Sequence, residues 1–193
     1  MNKIYAICDS YVLSKNNLNI KDFIQIVKKF EPVYIQYRNK SAQKDKIISS
    51  IKELKGCTNT KIIINDHFDL MGYCDGLHIG QEDIKKLQIS LNINEPANLF
   101  KLIRKLHKNK IIGISTKTNE QILQANSFDI DYIGIGAYKD TTTKKIDKIL
   151  GKNISYMAKI SNHKTCAIGG VKIDDNIKNI DYLAICSGLL KTH

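Results

Sequence analysis

Arginine is nearly absent from this chain. Of its 30 basic residues only Arg38 and Arg104 are arginine, and every other one is lysine. Nucleic-acid readers lean on arginine's planar fork for bidentate contacts to bases and phosphates, interleaved with aromatic side chains. Here the lysines are scattered through helix-like stretches rich in Ile and Asn. The formal net charge of +11 is therefore read as a solvated lysine surface and not as a nucleic-acid footprint. Proline is equally sparse: Pro32 and Pro96 are the only two, and both fall between elements. No Pro/Gly-rich hinge and no internal repeat interrupts the 193 residues, so one domain over residues 1–193 is expected.

No apolar run approaches the ~20 residues that a membrane span needs. Met1–Tyr5 passes straight into a strand-like run without signal-peptide anatomy. Cys8, Cys57, Cys74, Cys166 and Cys186 are odd in number and form no Cys-x-x-Cys pair. That spacing argues against disulfides and against a zinc site, and for free thiols in a reducing cytoplasm, the expected location.

What the chain does have is a recurrence of short apolar runs. Residues 4–8, 33–37, 61–65, 76–79, 111–115, 132–136, 165–168 and 182–185 read as eight strands. They are apolar throughout and do not alternate, as strands of a parallel sheet buried on both faces do. Helical periodicity fills most gaps: residues 20–30, 42–54, 97–107, 118–126 and 145–160, with a single turn near 67–75 and an ambiguous piece over 84–96. Eight such strands alternating with helices predict an α/β fold, a (β/α)₈ TIM barrel. A doubly wound open sheet fits eight strands less well, and no Gly-x-Gly-x-x-Gly turn follows the first. The barrel is a small one with a truncated final helix, since only Ser187–His193 follow the last strand. A homo-oligomer is one way to bury the apolar edge so exposed.

In such a barrel the reactive groups sit where strands end and loops begin. Strand two ends in Gln36, Arg38 and Lys40 at alternate positions, a fork and a point charge suited to a diphosphate. Asn65-Asp66 end strand three and Asp83 follows strand four, two carboxylates of the kind that hold Mg²⁺ together with substrate phosphates. Ser115 ends strand five, and a hydroxyl-rich loop with Thr141 and Thr143 closing on Lys144 follows strand six. Gly169-Gly170 end strand seven and Cys186-Ser187 end strand eight, the usual phosphate site of these barrels. Two anion sites, one with a metal and one without, suit two phosphorylated substrates.

The stretches IQYRNK (35–40), IINDHFDL (63–70), DGLHIGQED (75–83), IIGIS (111–115), DYIGIGAYKDTTTK (131–144) and AIGG (167–170) resemble those of the thiamine phosphate synthase family. The resemblance implies a TIM barrel that joins hydroxymethylpyrimidine diphosphate to thiazole phosphate, with Mg²⁺ as cofactor and small molecules as its partners. It implies pyrimidine diphosphate contacts at Gln36, Arg38, Lys40, Asn65, Ser115 and Lys144, of which Arg38, Lys40, Ser115 and Lys144 act in catalysis. It further implies metal ligands at Asp66 and Asp83, and thiazole phosphate contacts at Thr141, Thr143, Gly170, Cys186 and Ser187. The chemistry implied is dissociative, with pyrophosphate leaving before the thiazole nitrogen attacks, so no general base or nucleophile is needed. The family commonly shows Gly-Pro-x-Phe-Pro-Thr where this chain has Gly136–Thr141. The thiazole tautomerase of the same barrel family commonly carries a His at the position of Lys117; it stands as the alternative, beside a non-catalytic thiazole- or thiamine-phosphate binding protein.

Overall fold

The computed structural model describes residues 2–140 and 148–190. Eight parallel strands, each hydrogen-bonded to the next in chain order, close into a barrel when the eighth pairs with the first. They are β1 (Lys3–Asp9), β2 (Tyr34–Arg38), β3 (Lys61–Asn65), β4 (Gly76–Ile79), β5 (Ile111–Thr116), β6 (Tyr132–Gly136), β7 (Lys164–Ile168) and β8 (Tyr182–Ile185). The TIM barrel expected from the sequence is thus present, with each strand where its apolar run lies. Closure explains the uniform apolarity of those runs, because one face of each strand meets the helices and the other meets the barrel axis.

Two separate apolar clusters record the two faces. The large outer one packs Ile35, Tyr37, Ile62, Ile64, Ile112, Ile114, Ile133 and Ile135 against helical residues such as Phe23, Ile51 and Leu99. The small inner one holds Tyr5, Ile7, Ile63, Ile111, Tyr132, Cys166 and Ala184, with Tyr34 and Tyr182 against it. Four tyrosines thus occupy an interior that aliphatic side chains usually fill. A glycine makes room for them: a Cβ at Gly113 would collide with the Tyr132 ring.

The helices are α1 (Ser10–Lys15), α2 (Ile20–Val27), α3 (Lys44–Cys57), α4 (Gln81–Ser90), α5 (Pro96–Leu106), α6 (Asn119–Ala125), α7 (Ile154–Ala158) and α8 (Ser187–Leu190). In α2 the sequence opens with a reciprocal Asn19–Asp22 capping box and buries Phe23, Ile24, Ile26 and Val27 on one face. Each such burial is worth about 1.5–3 kcal/mol. Pro96 does not fall between elements as expected but opens α5, where its missing N–H costs nothing.

The ambiguous stretch before Pro96 resolves into α4 and a short irregular link. The helix expected over 145–160 is present only as a 3₁₀ turn at Gly151–Asn153 and α7, while residues 141–147 lie outside the described residues. The single turn near 67–75 is a 3₁₀ segment, Phe68–Tyr73. Helix α1 was not expected: six residues are too few to display a period. The last helix among the described residues is α8, and it packs against α2. Among the described residues no helix is long and apolar enough to cross a membrane.

Candidate active site

At the carboxyl ends of the strands a cavity of about 440 Å³ opens. Strand pleating decides which side chains reach it. Tyr34, Gln36 and Arg38 share one face of β2, and Gln36, Arg38 and Lys40 all line the cavity, as their spacing predicts. Arg38 is held by an ion pair with Asp9, which is 2% exposed. Asp9 ends β1 and also caps α1, accepting a hydrogen bond from the Val12 N–H at 3.0 Å. Its two oxygens therefore fix both a helix start and the guanidinium that faces the cavity.

Asn65, Asp66 and Asp83 line the same cavity. By strand alternation Asp66 should point away from its neighbour Asn65. It instead takes a left-handed backbone conformation, φ +66°, which Asp tolerates better than most residues. The Asp66 N–H donates to the His78 carbonyl at 2.9 Å. Its carboxylate accepts from the Asn65 amide at 2.5 Å and from the Gly80 N–H at 3.4 Å. Asp83, in the first turn of α4, pairs with Lys86 at 2.8 Å. Burial raises the Asp66 carboxyl above the ordinary carboxylate range, and the neighbouring Asp83 charge raises it further; Lys40 pulls the other way.

A half-buried carboxylate whose ionisation is opposed by burial and by a second carboxylate beside it forms a site that a divalent cation relieves. Among the described residues no group of three or more His, Cys, Asp or Glu stands together as a metal site. A pair of carboxylates suits Mg²⁺, which takes its remaining oxygens from water and phosphate. Asp66 and Asp83 therefore fit that ion.

Ser115 lines the cavity from β5, and its Oγ lies 2.9 Å from His78 Nε2. The His78 ring is buried, which pushes its pKa down to about 4 and keeps it neutral at physiological pH. Its Nδ1 lies 2.9 Å from the Tyr132 hydroxyl, which is 2.7 Å from the Tyr5 hydroxyl. The Gln36 amide nitrogen donates to Tyr5 at 3.0 Å. Burial raises both phenols above their usual value, so they stay protonated.

Across the mouth, Gly169 and Gly170 have φ +86° and +66°. A Cβ at Gly170 would strike the Asp140 carbonyl. The chain after β6 lies along the chain after β7, with the Tyr138 N–H donating to the Ile168 carbonyl and the Lys139 N–H to the Gly169 carbonyl, both at 2.9 Å. Lys139 and Asp175 pair at 2.5 Å. Cys186 and Ser187 complete this side, the Cys186 thiol pushed up to about 12 by burial.

The described candidates thus converge on one cavity: Gln36, Arg38, Lys40, Asn65, Asp66, Asp83, Ser115, Gly170, Cys186 and Ser187. Thr141, Thr143 and Lys144 lie outside the described residues. Asp9, His78, Gln81, Thr118 and Lys148, which the sequence reading gave no role, also line it, as does Lys117, the position at which the tautomerase commonly carries a His. Asp9 was findable, since it ends the first apolar run as Asn65 ends the third.

A family profile described as thiamine monophosphate synthase matches residues 4–184. The chain belongs to that family. A thiamine-phosphate synthase of Lawsonia intracellularis is 33% identical over 97% of this chain and 82% of its own length. One of Prochlorococcus marinus is 34% identical over 94% of this chain, which spans only 48% of that longer relative. Among solved structures, the thiamine phosphate pyrophosphorylase of Pyrococcus furiosus superposes with a TM-score of 0.73, covering 96% of this chain and 85% of that one. At 21% identity it speaks for the barrel alone. Within the synthase family the cavity just described stands at the barrel's usual reactive end.

Proposed function

We propose that the chain catalyses the condensation of 4-amino-2-methyl-5-hydroxymethylpyrimidine diphosphate with thiazole phosphate, giving thiamine phosphate and pyrophosphate. The observation that carries the residue assignment is the convergence of Arg38, Lys40, Asp66, Asp83 and Ser115 on one cavity opposite the Gly169-Gly170 backbone. A C–O bond from the pyrimidine methylene to the diphosphate breaks, and a C–N bond to the thiazole nitrogen forms. Charge develops on the departing diphosphate, so donors and cations aimed at it lower the barrier without any proton transfer.

In this reading Arg38 grips the diphosphate with its fork while Asp9 holds the guanidinium in place. Lys40 and the Ser115 hydroxyl supply further positive charge and a donor, and Lys144 adds another cation. Asp66 and Asp83 would hold Mg²⁺, which would supply positive charge to the diphosphate. Gln36 and Asn65 orient the pyrimidine. Thr141, Thr143, Gly170, Cys186 and Ser187 seat the thiazole phosphate, with Gly170 allowing its close approach to the backbone. Holding both reactants in one cavity converts a bimolecular reaction into an effectively unimolecular one.

The test is pyrophosphate release with both substrates and Mg²⁺, compared with each substrate alone and with Mg²⁺ removed by chelation. Release is expected only with the complete mixture. Silence with all components present would overturn the reading. Conversion of a thiazole carboxylate phosphate without Mg²⁺ would replace it with the tautomerase.

A further inference from the structure

Two residues that line the cavity, Gln36 and Ser115, are joined through Tyr5 and Tyr132, which lie beneath it, and through His78, a buried ring whose edge also lines it. From Gln36 Nε2 the chain runs 3.0 Å to the Tyr5 hydroxyl, 2.7 Å to the Tyr132 hydroxyl, 2.9 Å to His78 Nδ1, and from His78 Nε2 2.9 Å to Ser115 Oγ. Each hydroxyl carries one proton and a neutral imidazole carries one, so the direction of the chain is a matter of counting. The Gln36 nitrogen donates to Tyr5. The Tyr5 proton then goes to Tyr132, the Tyr132 proton to His78 Nδ1, and the imidazole proton from Nε2 to Ser115 Oγ. The opposite direction would aim the Tyr5 proton at an amide nitrogen that accepts nothing, leaving a buried donor unpaired.

We propose that Tyr5, Tyr132 and His78 are positioning residues that aim the Ser115 hydroxyl proton into the cavity, so that Ser115 meets its ligand as a donor. The proposal rests on the synthase reading in one respect: the ligand atom served is an oxygen of the diphosphate, whose charge grows as it leaves. A hydroxyl already aimed at that oxygen needs no reorientation in the transition state, so the benefit falls on kcat more than on KM. Tyr5 and Tyr132 gain a purpose in the barrel interior that aliphatic side chains could not serve, and Gly113 is the residue that leaves room for the Tyr132 ring.

The experiment has two arms. In ¹⁵N-histidine-labelled protein, with His78 assigned by loss of its signals in His78→Asn, the proton is expected on Nε2. A proton on Nδ1 would overturn the proposal whether or not the protein is a synthase. In the kinetic arm, Ser115→Ala is expected to lower kcat about 100-fold and Tyr132→Phe about tenfold, KM changing little. The double variant should be no slower than Ser115→Ala, because Tyr132 acts only through Ser115. Tyr182→Phe, in the same aromatic cluster with its ring 6.3 Å from that of Tyr132, should leave kcat unchanged. Losses that multiply in the double variant, or a Tyr182→Phe defect equal to that of Tyr132→Phe, would reduce Tyr132 to a packing role. If the wild type turns nothing over, the synthase reading fails and the tautomer measurement still decides the chain.

Discussion

On the β2–β5 side of the cavity mouth, side chains do the presenting: Arg38, Lys40, Asn65, Asp66, Asp83 and Ser115. Three of them are braced by a partner, Arg38 by Asp9, Asp66 by the Asn65 amide, and Ser115 by His78. On the β7–β8 side the presenting group is the backbone, at Gly169 and Gly170, where a Cβ would collide with the chain that follows β6. One side is chemistry carried by atoms that are present, the other is space kept by atoms that are absent. Deletions should therefore break the first and additions the second, with different signatures in activity and stability.

The largest expected effect is on the first side. Asp83→Ala should lower kcat/KM by about 100-fold or more, as loss of a charge-stabilising group does. Its melting temperature should hardly move. The lost pair with Lys86 is solvent-exposed and screened, so it holds little of the fold together, and removing the Asp83 charge eases the ionisation of Asp66. A thermal scan beside the pyrophosphate assay checks both halves. A large fall in stability would make Asp83 a structural residue and blur the contrast.

Gly170→Val is the counterpart. The left-handed conformation at φ +66° costs a side-chain-bearing residue about 1–2 kcal/mol, and the added Cβ must also displace the Asp140 carbonyl. At about 2 kcal/mol the melting temperature should fall by about 4–8 °C for a chain of this size. KM for thiazole phosphate should rise while KM for the pyrimidine diphosphate stays near wild type. Equal increases in both would mean that the two sides are not separable.

How much of this was legible before the fold depended on what each feature requires. The eight strands could be read because burial on both faces removes polar residues altogether, and a run such as Ile111–Ser115 leaves little alternative. The convergence of Arg38, Asp66 and Asp83 could be read because strand ends of one barrel share one rim. Helix α1 could not, since Ser10–Lys15 is shorter than two turns. The inward swing of Asp66 could not either, because it is a single backbone torsion at a residue type that permits it. The chain from Gln36 to Ser115 was beyond reach for another reason. Its five members come from five strands and meet only across the closed axis, so no local spacing records them.

The smallest effect concerns pH and isolates one carboxylate. Asp66 has its pKa raised in the folded protein, first by burial and then by Asp83, whereas in the unfolded chain it titrates near the ordinary value of about 3.9. The folded state therefore holds this proton more tightly than the unfolded state. Its contribution is fully present below about pH 3.9 and is lost as pH rises through the folded value. Without Mg²⁺, Asp66→Asn should accordingly be more stable than wild type at neutral pH. The difference should shrink as pH falls toward 4, and stay smaller than the loss in Gly170→Val. Comparing the two proteins cancels the remaining acids, including Asp181, whose pKa is shifted the other way by its contacts with Thr165 and Lys164. Adding Mg²⁺ at neutral pH should stabilise wild type and leave Asp66→Asn nearly unmoved, because a ligand stabilises only the state that binds it. Denaturant titrations of both proteins across this range, with and without Mg²⁺, make the measurement. A wild type that gains stability over Asp66→Asn as pH rises would place Asp66 among braced, favourably ionised groups, and the contrast between chemistry held ready and space kept open would lose its most sensitive marker.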